Sequence, residues 1–235
     1  MRRYLFVDDN LEFAENLVEI AGDCGCDCEM AAGGAEAMEK VSRTRFDAVV
    51  TDMRMPGMDG AALVRGIRRV DPGLPAVVLT AHAADAALEA ARREGLLAVL
   101  AKPAPIDRLL TLLSTARRDG LLAVLEDDPA LLDNLTEALR MRGFATVTAA
   151  TVLDTDRLGP VRPFAALTDV RLPGGPDGEA IRRLTARFPG IPVVVVTAFP
   201  AAAPAGARAT FGKPFDTAAL LDVVERIHAE RTATP

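Results

Sequence analysis

Two sets of polar residues, spaced alike along the chain, could do chemistry together. The first is Asp8, Asp9, Asp52, Thr80 and Lys102, and the second is Glu126, Asp127, Asp169, Thr197 and Lys213. From Asp9/Asp127 to Lys102/Lys213 the matched pairs are offset by 118, 117, 117 and 111 residues, which marks an internal duplication. In the first set each member closes a short apolar run: 4–7 before Asp8, 48–50 before Thr51 and Asp52, 76–79 before Thr80, 98–101 before Lys102. Such a run ending on a polar residue reads as a buried strand whose C-terminal end opens into a site. In a parallel sheet these ends share one edge, so the side chains converge. Three crowded carboxylates repel one another, and a divalent cation relieves them; oxygen ligands and bound water point to Mg2+. Lysine can pair with a carboxylate at rest and with a phosphoryl oxygen after reaction, and the threonine hydroxyl can donate to that same oxygen. A nucleophilic carboxylate, a cation, an ammonium and a hydroxyl are the parts that phosphoryl transfer to an acid requires.

The elements that must position these residues are legible as alternating patterns. In the first half, strands are predicted at 4–7, 26–31, 48–51, 76–80 and 98–101, with helices at 11–21, 35–41, 61–70, 83–93 and 106–117. Gly22 and Gly95 fall near helix ends, and Pro72 and Pro75 interrupt the chain before a strand. This alternation predicts a parallel α/β sheet covered on both faces, with right-handed crossovers. The second half repeats the plan with strands at 121–125, 145–148, 165–168 and 193–196 and helices at 131–141, 181–187 and 216–229. Two places depart from it. Residues 151–162 lack a sustained apolar face, and 199–206 carry Pro200 and Pro204 where the first half has a helix. Proline inside a helix costs about 3 kcal/mol, so helices 2 and 4 of the second half should be reduced. The junction, Arg118-Asp119-Gly120, is too short for a flexible linker, which predicts domains at 1–118 and 119–235 with restricted relative motion.

Composition narrows the function class. The chain has 235 residues, enough for two cores, and is 50% hydrophobic and 26% charged, as ordinary globular proteins are. Its net charge is −6 with no basic cluster beyond paired arginines, which argues against nucleic acid as a direct ligand. No apolar run approaches the roughly 20 residues of a membrane span, and the N-terminus runs straight into two aspartates, unlike a signal peptide. A soluble, cytoplasmic protein with no membrane partner is expected. Cys24, Cys26 and Cys28 alternate, as if on one side of a strand, and read as small core hydrophobes rather than a metal site.

Both halves resemble receiver domains of two-component response regulators. The first half carries Val7-Asp8-Asp9, Thr51-Asp52-Met53-Arg54-Met55-Pro56-Gly57-Met58-Asp59-Gly60, Leu79-Thr80-Ala81 and Lys102-Pro103. The second carries Glu126-Asp127-Asp128, Thr168-Asp169 with Pro173-Gly174, Val196-Thr197-Ala198 and Lys213-Pro214. The resemblance implies two flavodoxin-like doubly wound five-stranded parallel sheets, order 2-1-3-4-5. It implies phosphoacceptors at Asp52 and Asp169, and Mg2+ held directly by Asp9 and Asp127 and through water by Asp8 and Glu126. The backbone carbonyls of Arg54 and Arg171 complete that ligand set. Thr80 and Thr197 match the switch hydroxyl, Lys102 and Lys213 the lysine, and both Lys-Pro bonds should be cis. The partner implied is a histidine kinase or histidine phosphotransfer protein, which meets such domains at the first helix, where Phe13 lies. A homodimer through the first receiver is a further expectation. A receiver is not an enzyme in the ordinary sense, since it catalyses only its own phosphorylation and dephosphorylation.

The sequence departs from the family where an aromatic commonly stands three residues before the lysine; here Val99 and Thr210 occupy those positions. His82 and Arg54 lie near the acceptor and Arg171 near its counterpart, each a candidate to influence hydrolysis. Residues 229–235 are too few for an output domain, so output through protein contacts is expected, unless the chain is part of a longer regulator. An alternative is an adaptor or dimerisation scaffold in which the second receiver is an unphosphorylated docking module.

Overall fold

The computed structural model describes residues 1–81, 95–158 and 162–233. The chain divides into two compact units, Met1–Asp119 and Gly120–Pro235. In the first, β1 (Arg3–Val7), α1 (Leu11–Asp23), β2 (Asp27–Ala31), α2 (Gly34–Arg43), β3 (Ala48–Asp52), α3 (Gly60–Val70), β4 (Ala76–Thr80), β5 (Ala98–Ala101) and α4 (Ile106–Thr115) follow in order. The helix predicted at 83–93, and His82, lie outside the described residues. All strands are parallel, in the order β2-β1-β3-β4-β5. β3 and β4 are buried at every position, which is why their sequences are continuous apolar runs rather than alternating ones. Leu5, Val49 and Val78 from the strands pack with Leu63 and Ile67 of α3 in one core. The helices that follow β1 and β3 begin on side-chain caps: Asn10 takes the N–H of Phe13, and Asp59 takes that of Ala62. Such caps contribute about 1 kcal/mol each and fix where the loops stop.

The second unit has β6 (Leu121–Leu125), α5 (Pro129–Met141), β7 (Ala145–Ala149), β8 (Ala165–Thr168), α6 (Glu179–Arg187), β9 (Val193–Thr197), β10 (Ala209–Gly212) and α7 (Thr217–Thr232). Its parallel sheet runs β7-β6-β8-β9-β10, the same topology as the first. Where the first unit has α2, a single 3-10 turn spans Leu153–Arg157, and a shorter one at Pro200–Ala202 is all that lies between β9 and β10. Two flavodoxin-like sheets, the second with reduced helices, are therefore the architecture.

Local departures from the sequence reading have simple causes. The alternate cysteines do not share a strand. Cys24 caps α1, Gly25 turns the chain at φ +79°, and only Cys28 enters β2. A strand at 209–212 had no signal of its own, because Phe211 is its one large apolar residue and its burial is only partial. Both Lys-Pro bonds, 102–103 and 213–214, are cis. Among the described residues no helix is long and apolar enough to cross a membrane.

Candidate phosphoacceptor sites

The first site is assembled by the ends of β1, β3, β4 and β5. Asp8 follows β1 and is buried; its Oδ1 accepts the Asn10 N–H at 3.0 Å and its Oδ2 the Lys102 ammonium at 2.7 Å. Asp52 is the last residue of β3, also buried, and its Oδ2 accepts the Arg54 N–H at 2.6 Å. Its Oδ1 lies 2.5 Å from Lys102 Nζ, so the lysine bridges the two carboxylates. Lys102 is placed by β5, its own N–H donating to the Thr80 carbonyl at 2.8 Å, and the Thr80 side chain is buried at the end of β4. Asp9 is exposed next to Asp8, and Arg54 is exposed with its N–H turned onto Asp52. Sequence spacing did not reveal one neighbour: Phe13 of α1, whose ring centroid is 4.6 Å from Lys102 Nζ.

The second site uses the same elements with one changed side chain. Glu126 is 2% exposed, and both its oxygens accept from Lys213 Nζ, each at 2.8 Å. Lys213 also donates to Asp169 Oδ2 at 2.7 Å, and Asp169 Oδ1 accepts the Arg171 N–H at 3.1 Å. Thr197 is fully buried and its Oγ1 accepts the Phe199 N–H at 3.2 Å. Asp127 is exposed, and one oxygen each from Glu126, Asp127 and Asp169 lie within 4.8 Å of one another. The Arg171 guanidinium sits 3.5 Å from the Phe199 ring centroid and pairs with Asp177 at 3.0 Å. Phe199 was not foreseen from the sequence either, because stacking of this kind leaves no spacing pattern.

Burial and pairing pull the charged groups in opposite directions. Burial favours neutral Lys102, but hydrogen bonds to Asp52 and Asp8 outweigh it and hold its pKa above the ordinary lysine value. Lys213 is raised for the same reason, by Asp169 and Glu126. Glu126 is pushed above the ordinary carboxyl value, chiefly by burial, even though Lys213 opposes the shift. The pair is not symmetric: the lysine side chain keeps 22% of its surface and the glutamate 2%, so desolvation wins only at the carboxyl end. The candidate ligands of both sites are hard oxygens, the donor set that suits Mg2+ rather than a softer metal, but among the described residues only Glu126, Asp127 and Asp169 bring three carboxylates within 4.8 Å of one another.

Two all-parallel doubly wound sheets, each with an acidic pocket and a bridging lysine at the C-terminal strand ends, define a receiver-type α/β protein. The response regulator receiver domain family matches residues 4–114. A response regulator receiver protein of Anaeromyxobacter sp. (strain Fw109-5) is 62% identical over 234 residues, 100% of this chain and 98% of that one. The DNA-binding transcriptional regulator NtrC of Escherichia coli (strain K12) is 35% identical over 107 residues, 46% of this chain but 23% of NtrC. The receiver domain of the Francisella response regulator 1452 is a similar solved structure, with TM-score 0.46 and 25% identity over 48% of this chain and 94% of that one. The chain belongs to the response regulator receiver proteins of two-component signalling. Receiver domains of this family bind Mg2+ at an acidic site and interact with histidine kinases or phosphotransfer partners.

Proposed function

We propose that Asp52, and Asp169 after it, accept a phosphoryl group from a phosphohistidine of a kinase or phosphotransfer protein, in receivers spanning 1–118 and 119–235. The observation that carries this reading is the bridging lysine, which in both units joins the strand-end carboxylate to a second buried acid. A carboxylate oxygen of the acceptor attacks phosphorus. A P–O bond forms as the P–N bond to the donor imidazole breaks, and the freed nitrogen electron pair takes a proton. The Arg54 N–H on Asp52 Oδ2 holds the carboxylate rotamer, as the Arg171 N–H does for Asp169. Lys102 then exchanges its contact with Asp52 for one with a phosphoryl oxygen, and the Thr80 hydroxyl offers a second donor. Asp8, Asp9 and Asp52 would hold Mg2+ with the Arg54 carbonyl, and Glu126, Asp127 and Asp169 with that of Arg171; when bound, the ion supplies charge neutralisation at the transferring group.

Output through protein contacts fits two units of this kind, including association of two copies through the first receiver. A second reading applies to the second unit alone. Its 3-10 turn between β9 and β10 leaves a rebuilt surface that favours use as a docking module. Intact mass after incubation with Mg2+ and acetyl phosphate separates the two. Two added phosphoryl groups, one lost in Asp52→Asn and one in Asp169→Asn, support acceptance at both sites. One group, lost only in Asp52→Asn, makes the second unit the docking module, and no incorporation refutes the acceptor reading.

A further inference from the structure

We propose that Phe13 is a positioning residue for Lys102, holding the ammonium at the acceptor while leaving one of its donors in reserve for the incoming phosphoryl oxygen. This rests on the reading of Asp52 as the acceptor. Four contacts close a ring around the site. Asp8 Oδ1 takes the Asn10 N–H at 3.0 Å, and Asn10 Oδ1 takes the Phe13 N–H at 3.1 Å. The Phe13 ring then faces Lys102 Nζ at 4.6 Å, and Nζ returns to Asp8 Oδ2 at 2.7 Å. The ring position is thus fixed from the backbone of the same loop that carries Asp8. An ammonium over an aromatic face is attracted without a hydrogen bond that must later be broken.

The second unit solves the same problem differently. Asp128 caps α5 as Asn10 caps α1, accepting the N–H groups of Ala130 and Leu131, but Leu131 stands where the first unit has Phe13, and it packs against the apolar core. Its lysine is held instead by both oxygens of Glu126 and one of Asp169. A lysine ammonium has three N–H donors. Lys213 faces three carboxylate oxygens, whereas Lys102, among the described residues, faces two and a ring. Lys102 can therefore engage a phosphoryl oxygen with less prior loss, and the ring keeps it in place as the Asp52 contact is given up.

The test uses the full chain carrying Asp169→Asn, so that only Asp52 can react, with acetyl phosphate and Mg2+ as the probe. Phe13→Leu should lower the rate of phosphoryl incorporation roughly three- to tenfold, and Phe13→Tyr, which keeps the aromatic face, should restore it. A second readout is independent of phosphorylation. The Lys102 ε-methylene protons should be shifted upfield by the Phe13 ring current in the parent and in Phe13→Tyr, and not in Phe13→Leu. Unfolding of each variant controls for a loss of fold. A Phe13→Leu rate within twofold of the parent, or an unchanged lysine proton shift, overturns the proposal. If the parent takes up no phosphoryl group the acceptor reading fails, and the proton shift still decides whether Phe13 positions Lys102.

Discussion

Gly60 tests whether Asp52 is positioned by backbone packing. It is the first residue of α3, directly after the Asp59 cap, and its N–H donates to the Met53 carbonyl at 2.9 Å. A Cβ at this position would run into the Asp52 carbonyl oxygen and come within 3.0 Å of Met53 Cα and 3.3 Å of the Asp52 carbonyl carbon. All three atoms are backbone at the end of a strand buried on both faces, so they cannot turn aside as a side chain would. Overpacking against such a wall costs about 2–3 kcal/mol. Gly66, in the middle of the same helix, is the control: the atoms nearest a Cβ there belong to the Met38 side chain, with Sδ at 2.9 Å. That side chain can swing away, and alanine regains about 1 kcal/mol of helix propensity, so Gly66→Ala should be near neutral. The chain has one tyrosine, Tyr4, and no tryptophan, so its fluorescence reports on the first unit alone. In urea, Gly60→Ala should lower the midpoint of that signal by roughly 1–2 M. Moving the Asp52 carbonyl also moves its carboxylate away from Lys102, so phosphoryl incorporation at Asp52 should fall by about tenfold or more. A Gly60→Ala midpoint equal to that of Gly66→Ala would refute the argument that backbone contact fixes Asp52.

Tyr4 itself carries a further expectation. Burial, reinforced by nearby Cys26 and opposed by Arg2, raises its pKa from 10.0 to about 12, while its hydroxyl donates to the Leu113 carbonyl at 2.9 Å. The folded state therefore keeps the proton longer than the unfolded state. This contribution to stability is complete below pH 10 and is lost as pH rises from 10 through about 12. Absorbance of the phenolate should appear only near that upper limit or together with unfolding; titration at the ordinary value in the folded protein would refute it. Among the thiols, burial first and then the charges of Cys26 and Asp27 raise Cys28 to about 11. At pH 8 only about a thousandth of it is thiolate, so a maleimide should modify exposed Cys24 well before Cys28. Equal labelling rates by peptide mapping would contradict this.

The site was legible because each of its parts closes a recognisable local pattern. Asp52 ends Ala48-Val49-Val50-Thr51, Thr80 ends a run of apolar residues, and Lys102 precedes a proline, and all of these signals repeat in the second half. Topology then brings the strand ends together without any further information. What stayed hidden depends on side-chain reach between elements. Lys102 and Phe13 are 89 residues apart, and nothing in either local sequence says that an ammonium will lie over that ring. The cysteines misled because alternation is a strand signal only where the backbone is extended, and Gly25 at φ +79° turns the chain between Cys24 and Cys26. The strand Ala209–Gly212 was hidden for the opposite reason: as an edge strand it needs little burial, so its composition carries little pattern.

The exchange of Asp8 for Glu126 shows how one methylene can change a site without changing its charge. In each unit two buried carboxylates face one ammonium, which leaves one negative charge uncompensated, and in the second unit Asp127 adds a third carboxylate within 4.8 Å, an excess that a divalent cation would offset. Aspartate in the first unit reaches Lys102 with one oxygen and spends the other on the Asn10 N–H. Glutamate in the second reaches farther and turns both oxygens to Lys213, while its contact with the Asp128 N–H lengthens to 3.4 Å. The gain in lysine contact is therefore matched by a weaker hold on the loop that carries Asp127. Burying the longer carboxyl also raises its pKa even with Lys213 paired to it, so its charge is costlier to keep. The buried acid of the first unit thus divides its oxygens between loop and lysine, whereas that of the second turns both to the lysine and makes a longer contact with the loop. This difference in anchoring predicts unequal rates of phosphoryl incorporation in the Asp52→Asn and Asp169→Asn chains, followed by intact mass, and equal rates would refute it.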